Sequence, residues 1–149
     1  MTQDSISSPM DAPMLDGRLR LDPKALDNIR SFQLHGESDL LDQILLLFIE
    51  QVPLRLTELQ AACAAGNGPV MAGLAHNLRG SAANLGAHRM ETIAAWIERQ
   101  TYRREGESAL GALAPALLQA LEKQIGELQK EFEQVKLELG RAKLGGRRP

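Results

Sequence analysis

A chain of 149 residues with 44% hydrophobic and 24% charged residues holds one globular domain's worth of sequence and enough apolar mass to bury a core. Its formal net charge of −2, with no Lys/Arg run interleaved with aromatics, excludes the basic field that nucleic-acid binding requires. One cysteine, Cys63, excludes an internal disulfide and fits a reducing compartment. No charged and then apolar leader pattern opens the chain, and the longest apolar run, residues 44–49, is too short to span a bilayer. The expected location is the cytoplasm, with no membrane partner. Aromatics at 3% against abundant Leu and Ala lean the whole composition toward helix.

In chain order, residues 1–20 mix Ser, Pro, Asp and Met without sustained periodicity and read as a flexible lead-in able to pack late against the body. Asp22-Pro23 is a helix start, an N-cap followed by proline in the first turn, and the short helix runs to about Gln33. His35-Gly36 breaks it. Glu37 or Ser38 opens a second helix whose stripe Leu41, Ile44, Leu45, Phe48, Val52, Leu56 and Leu59 reaches about Ala65, with a kink expected at Pro53. Gly66-Asn67-Gly68 stops it, and Pro69 begins a third helix that ends near Asn84. Cys63, inside AACAA, reads as a buried helical thiol.

Gly86 forces a tight reversal. A fourth helix over 88–104 turns Met90, Ile93, Ala94, Ile97 and Thr101 inward, and Glu105-Gly106 ends it. The last helix begins near Ser108 and carries Leu113, Leu117, Leu121, Ile125, Leu128, Phe132, Val135 and Leu139 on one stripe. Gly145-Gly146 should fray. The expectation is an all-α fold, an antiparallel up-down-up-down four-helix bundle with a short N-terminal capping helix. Residues 21–140 form the bundle, and 1–20 and 141–149 are flexible ends. An initial Met and polar tails favour a free-standing protein over a piece of a larger one.

The third helix carries the chemistry. Met71, Leu74, Leu78 and Leu85 form its apolar stripe, while Ala72, Gly73, His76, Arg79, Gly80 and Ala83 lie on the opposite face. Gly73 and Gly80 inside a helix cost about 2 kcal/mol together relative to alanine. They leave an exposed imidazole in a cleared patch that a second protein can approach. Arg79, three residues on, offers a fixed positive charge on the same side. A bare imidazole beside a cation suits an anion carried on the ring, a phosphoryl group above all.

AHNLRGSAANLGA then resembles the signature of histidine-containing phosphotransfer (HPt) domains: His, any residue, Leu, Lys or Arg, Gly, Ser, small, small, any residue, apolar, Gly. His76, Leu78, Arg79, Gly80, Ser81, Ala82, Leu85 and Gly86 fill those places. Arg79 stands where Lys is commoner, which keeps the charge and changes the donor geometry. The resemblance implies that His76 is a phosphoacceptor, taking a phosphoryl group from the aspartate of one receiver domain and yielding it to another. Partners so implied are response-regulator receivers or a hybrid sensor histidine kinase, with Mg2+ supplied by the receiver and no cofactor of the chain's own.

Counting back across the Gly86 turn brings residues 95–98 level with His76. Glu98, one step beyond the inward Ile97, falls at the boundary facing the His76 helix, where a carboxylate can hold the Nδ1 proton. A Glu at this offset does so in chemotaxis-type HPt domains, so the resemblance supports the assignment; a solvated surface Glu is the alternative. Ser81 and Asn84 either support the phosphoryl site or close the helix end. His35 and His88 read as a turn residue and a solvent-facing residue. Gln100, Tyr102, Arg103 and Arg104 form a polar exposed end of the bundle, either a partner-binding rim or an ordinary solvated face.

No nucleotide-binding glycine loop and no metal-ligand spacing occurs, so the phosphoryl group must come from outside. The expected function is a phosphorelay carrier. The competing reading is an HPt-like adaptor that sequesters a receiver or kinase without carrying phosphate.

Overall fold

The amphipathic helices after the first, each too apolar on one face to stand alone, pack their stripes against one another. In the computed structural model, residues 11–33, 40–102 and 113–145 are described, and they form helices α1 (Pro23–Gln33), α2 (Leu40–Ala64), α3 (Gly68–Asn84), α4 (His88–Thr101) and α5 (Pro115–Gly145). Helix α2 packs on α3, α3 on α4, α4 on α5 and α5 back on α2, closing a four-helix ring, while α1 caps α2. The fold is all-α, with no strand among the described residues. None of these helices is long and apolar enough to cross a membrane.

Local chemistry sets the helix ends. Asp22 Oδ1 accepts the Lys24 amide at 3.0 Å and Asn67 Oδ1 accepts that of Val70 at 3.2 Å, capping α1 and α3. Both α2 and α3 finish in a Schellman arrangement around a left-handed glycine. Gly66 has φ 67° with the Asn67 amide on Ala62 O, and Gly86 has φ 73° with the Ala87 amide on Ala82 O. Helix α2 runs unbroken through Pro53. Helix α4 stops at Thr101, three residues short of the expected 104, where Tyr102 turns to extended backbone.

The expected stripes are the core. Leu41, Leu45, Phe48, Val52, Leu56 and Leu59 of α2 and all five inward residues of α4 are buried, as are Leu121 through Leu139 on the α5 stripe. Ile44, Leu113 and Leu117 pack at its edge. Ala75 and Ala82, each with no exposed surface, add small contacts that let α3 lie close to its neighbours. Trp96 and Glu131 are buried as well, neither expected from periodicity. Cys63 is buried, and burial pushes its thiol up, as an inert core thiol requires.

Residues 11–20, read as part of the lead-in, lie against α4 and α5. Asp11 O accepts the Trp96 indole N–H at 2.5 Å, Leu19 O accepts the Arg89 amide, and Arg20 Nε donates to Glu131 Oε1 at 2.6 Å. The last helix starts at Pro115, after Leu113 and Ala114 in non-helical backbone, rather than near Ser108, and it continues through 141–145, expected as tail. The His35-Gly36 break, the Glu37/Ser38 start, Arg103 and Arg104, the Glu105-Gly106 turn and the chain beyond 145 lie outside the described residues.

Gly86 and Gly80 make a direct contrast. A Cβ on Gly86 would meet Asp22 Cβ at 2.7 Å and Ala25 Cβ at 2.8 Å, on a backbone of positive φ; a Cβ on Gly80 meets nothing within 4 Å. Urea denaturation should show Gly86→Ala losing about 2–4 kcal/mol. Gly80→Ala should gain up to about 1 kcal/mol from helix propensity. Equal stability of the two variants would contradict this packing.

Candidate functional site

His76 stands on the outer face of α3 with 66% of its side chain exposed. Its helix turns Met71, Ala75, Leu78 and Ala82 into the core, so residues at the opposite angle have nowhere to go but solvent. Gly73, Gly80 and Ala83 are exposed around it, and a Cβ on either glycine would meet nothing within 4 Å beyond its chain neighbours and its own helix backbone. Packing within the chain does not require these glycines. The space they leave is on the outside of the molecule.

Helix α4 supplies the second half of the site. Glu98 Oε2 lies 2.9 Å from His76 Nδ1, and Glu98 Oε1 accepts from Arg79 Nε at 2.8 Å. One carboxylate therefore spans the α3–α4 seam and engages both residues. Arg79 Nη2 also lies 3.1 Å from His76 Nδ1, a contact that cannot coexist as a hydrogen bond with the first. An ionised carboxylate only accepts and a guanidinium only donates, so the Nδ1–Glu98 contact needs a proton on Nδ1 and the Arg79 contact needs a lone pair there. The carboxylate contact is the shorter, 2.9 Å against 3.1 Å, and favours the tautomer with the proton on Nδ1. Arg79 Nη2 is then a cation beside the ring. Nε2 has no hydrogen-bond partner among the described residues.

The cluster orients more than it stabilises. Exposed ion pairs contribute about 0–1 kcal/mol, and both His76 and Arg79 are well exposed.

Ser81 and Asn84 are elsewhere. With Asn77 they form the α3 wall of a groove of about 370 Å³ whose α2 side includes Leu47, Gln51 and Arg55. The spacing of 77, 81 and 84 is a polar stripe at helical period, so the groove wall was visible in the sequence as a stripe although its α2 partners were not. His88, expected in solvent, is half-buried and held between Asp22 and Glu91. Among the described residues no three His, Cys, Asp or Glu side chains are grouped to hold a metal ion.

A family model described as the Hpt domain matches residues 43–138, from the first turn of α2 almost to the end of α5. The chain belongs to the Hpt domain family. No curated protein and no solved structure matches it. Its general role is thus in phosphorelay signalling, and Hpt domains interact with receiver and sensor-kinase domains. The match leaves α1 and the 11–22 segment outside.

The tautomer can be read directly. Imidazole 15N shifts of His76 should show the Nδ1–H form dominant near neutral pH, with Glu98→Ala moving the ring toward the Nε2–H form. Removing Glu98 should change stability by no more than about 1 kcal/mol. An unchanged 15N pattern in Glu98→Ala would dismiss the orienting role.

Proposed function

We propose that this Hpt domain is a phosphorelay intermediate whose carrier atom is His76 Nε2. The observation that supports the reading is the engaged Nδ1: with that nitrogen protonated and held on Glu98, the remaining lone pair is on Nε2 of an exposed ring. In-line attack by Nε2 on the aspartyl phosphate of a receiver forms the N–P bond as the P–O bond to the aspartate breaks. The aspartate leaves as a carboxylate. The Nδ1 proton stays where it is, and the ring's gained positive charge faces the Glu98 carboxylate, so no proton has to leave the site. Transfer onward to another receiver runs the same steps in reverse. Mg2+ belongs to the receiver in this reading.

Arg79 has a double part. Tied through Nε to Glu98, it steadies the carboxylate, and its Nη2, 3.1 Å from Nδ1, sets a positive charge beside the ring. Docking uses the surface from Gly73 and Gly80 across to the α2–α3 groove. Leu47, 58% exposed on α2, is its apolar anchor, and Asn77, Ser81 and Asn84 are its polar wall. Two glycines that no internal contact demands fit a face reserved for a partner's loops. A weak, transient interface suits a carrier that has to release what it binds. The carrier body is residues 21–140.

Incubation with a radiolabelled phospho-receiver should give acid-labile, alkali-stable label on the wild type and none on His76→Gln. That variant should stay within about 0.5 kcal/mol of wild-type stability, because the side chain is exposed. Gly80→Gln should accept label at least tenfold more slowly while folding normally. Label on His76→Gln would remove this residue from the role, and receiver binding without label on the wild type would favour the sequestering adaptor.

A further inference from the structure

Histidine 88, three turns from the site along the chain's next helix, sits between two acids. Its Nδ1 lies 2.9 Å from Glu91 Oε1 on α4, and its Nε2 lies 3.1 Å from Asp22 Oδ2 at the head of α1. Carboxylates accept and do not donate, so both contacts are hydrogen bonds only while both ring nitrogens carry protons. The geometry is that of an imidazolium.

We propose that Asp22, His88 and Glu91 form a proton-held latch that fastens the 11–22 segment to α4, and that the segment loosens as His88 gives up its second proton. The segment is already seen as a strap. Besides the latch, it is held by the Trp96 indole on Asp11 O, the Arg89 amide on Leu19 O, Arg89 Nε on Arg18 O, and the Asp22 amide on Gly86 O at 2.8 Å. The segment and Asp22 lie outside the residues matched to the Hpt family, whereas His88 and Glu91 lie inside them. The inference stands independently of the carrier role of His76.

Charges facing the latch come from each neighbouring element. Lys24 on α1 donates its amide to Asp22 and sets a cation beside it; Glu91 and Arg89 face it from α4; Arg18 and Arg20 belong to the strap; Glu131 and Glu138 on α5 take Arg20. Glu91 and Asp22 both hold the His88 imidazolium above its ordinary value of 6.5, and His88 with the Lys24 amide holds Asp22 below the ordinary 3.8. The signs follow. The His88 contribution is complete below pH 6.5 and is lost as pH rises through the higher latched value; the Asp22 contribution is present above pH 3.8 and is lost as pH falls through its lower one. The latch therefore holds best in mildly acidic solution. Trp96 and Glu98 lie about 160° apart on α4, so the strap braces from behind the helix that orients His76.

Hydrogen exchange on the full chain from pH 5.5 to 9, corrected for intrinsic amide rates, tests this. Protection of the Asp22 and Arg89 amides should fall about tenfold per pH unit through the His88 titration, one proton being linked to opening. The fluorescence of Trp96, the chain's one tryptophan, should change with the same midpoint. His88→Gln should flatten both profiles and His76→Gln should leave them intact. Flat profiles in the wild type, or an undiminished slope in His88→Gln, would overturn the latch. Should His88→Gln lose its helical circular dichroism, Asp22→Asn decides: the latch requires a lower midpoint, and an unmoved midpoint refutes it.

Discussion

A single carboxylate holds the candidate site together. Glu98 reaches from α4 to α3 and engages the His76 ring with one oxygen and Arg79 with the other. Everything proposed for His76 depends on that reach, because a freely spinning imidazole presents either nitrogen to a visitor. The reach in turn depends on how α3 and α4 are set against each other. The Gly86 reversal fixes their register, and Ala75 and Ala82, fully buried on α3, fix their closeness. Gly86 can turn this way only because it lacks a Cβ, and the head of α1 packs where one would lie.

Stability and function are carried by different faces of the same helices. The stripes that bury Phe48, Leu78, Ile93 and Phe132 supply the free energy of the bundle, while the outer face of α3 gives up about 2 kcal/mol of helix propensity at two glycines. An exposed pair such as Arg79–Glu98 returns too little to offset that. The α3 surface is therefore not explained by folding alone. The proposed docking of a partner domain on this face would account for it.

Much of this was legible in the residues. Apolar periodicity marked each core stripe, glycines and prolines marked the turns, and the signature around His76 named the family. Even the Glu98 contact followed from counting residues across the Gly86 turn, since an antiparallel pair with a tight reversal has little freedom of register. What could not be read were contacts with no local period. Trp96, Arg20–Glu131 and Asp22–His88 join positions 85, 111 and 66 residues apart, and each depends on an N-terminal segment whose own sequence has no stripe. Glu131 looks like a solvated charge until Arg20 arrives. Ser81 fits the signature, yet it faces α2, because helical angle and not motif membership decides where a side chain points.

The central claim concerns one nitrogen. Phosphorylating 15N-histidine-labelled protein with a phospho-receiver and recording 31P–15N coupling locates the phosphoryl group on a ring atom. The account predicts coupling to Nε2 of His76, with Nδ1 still protonated; a phosphoryl group on Nδ1, or on His35 or His88, would contradict it.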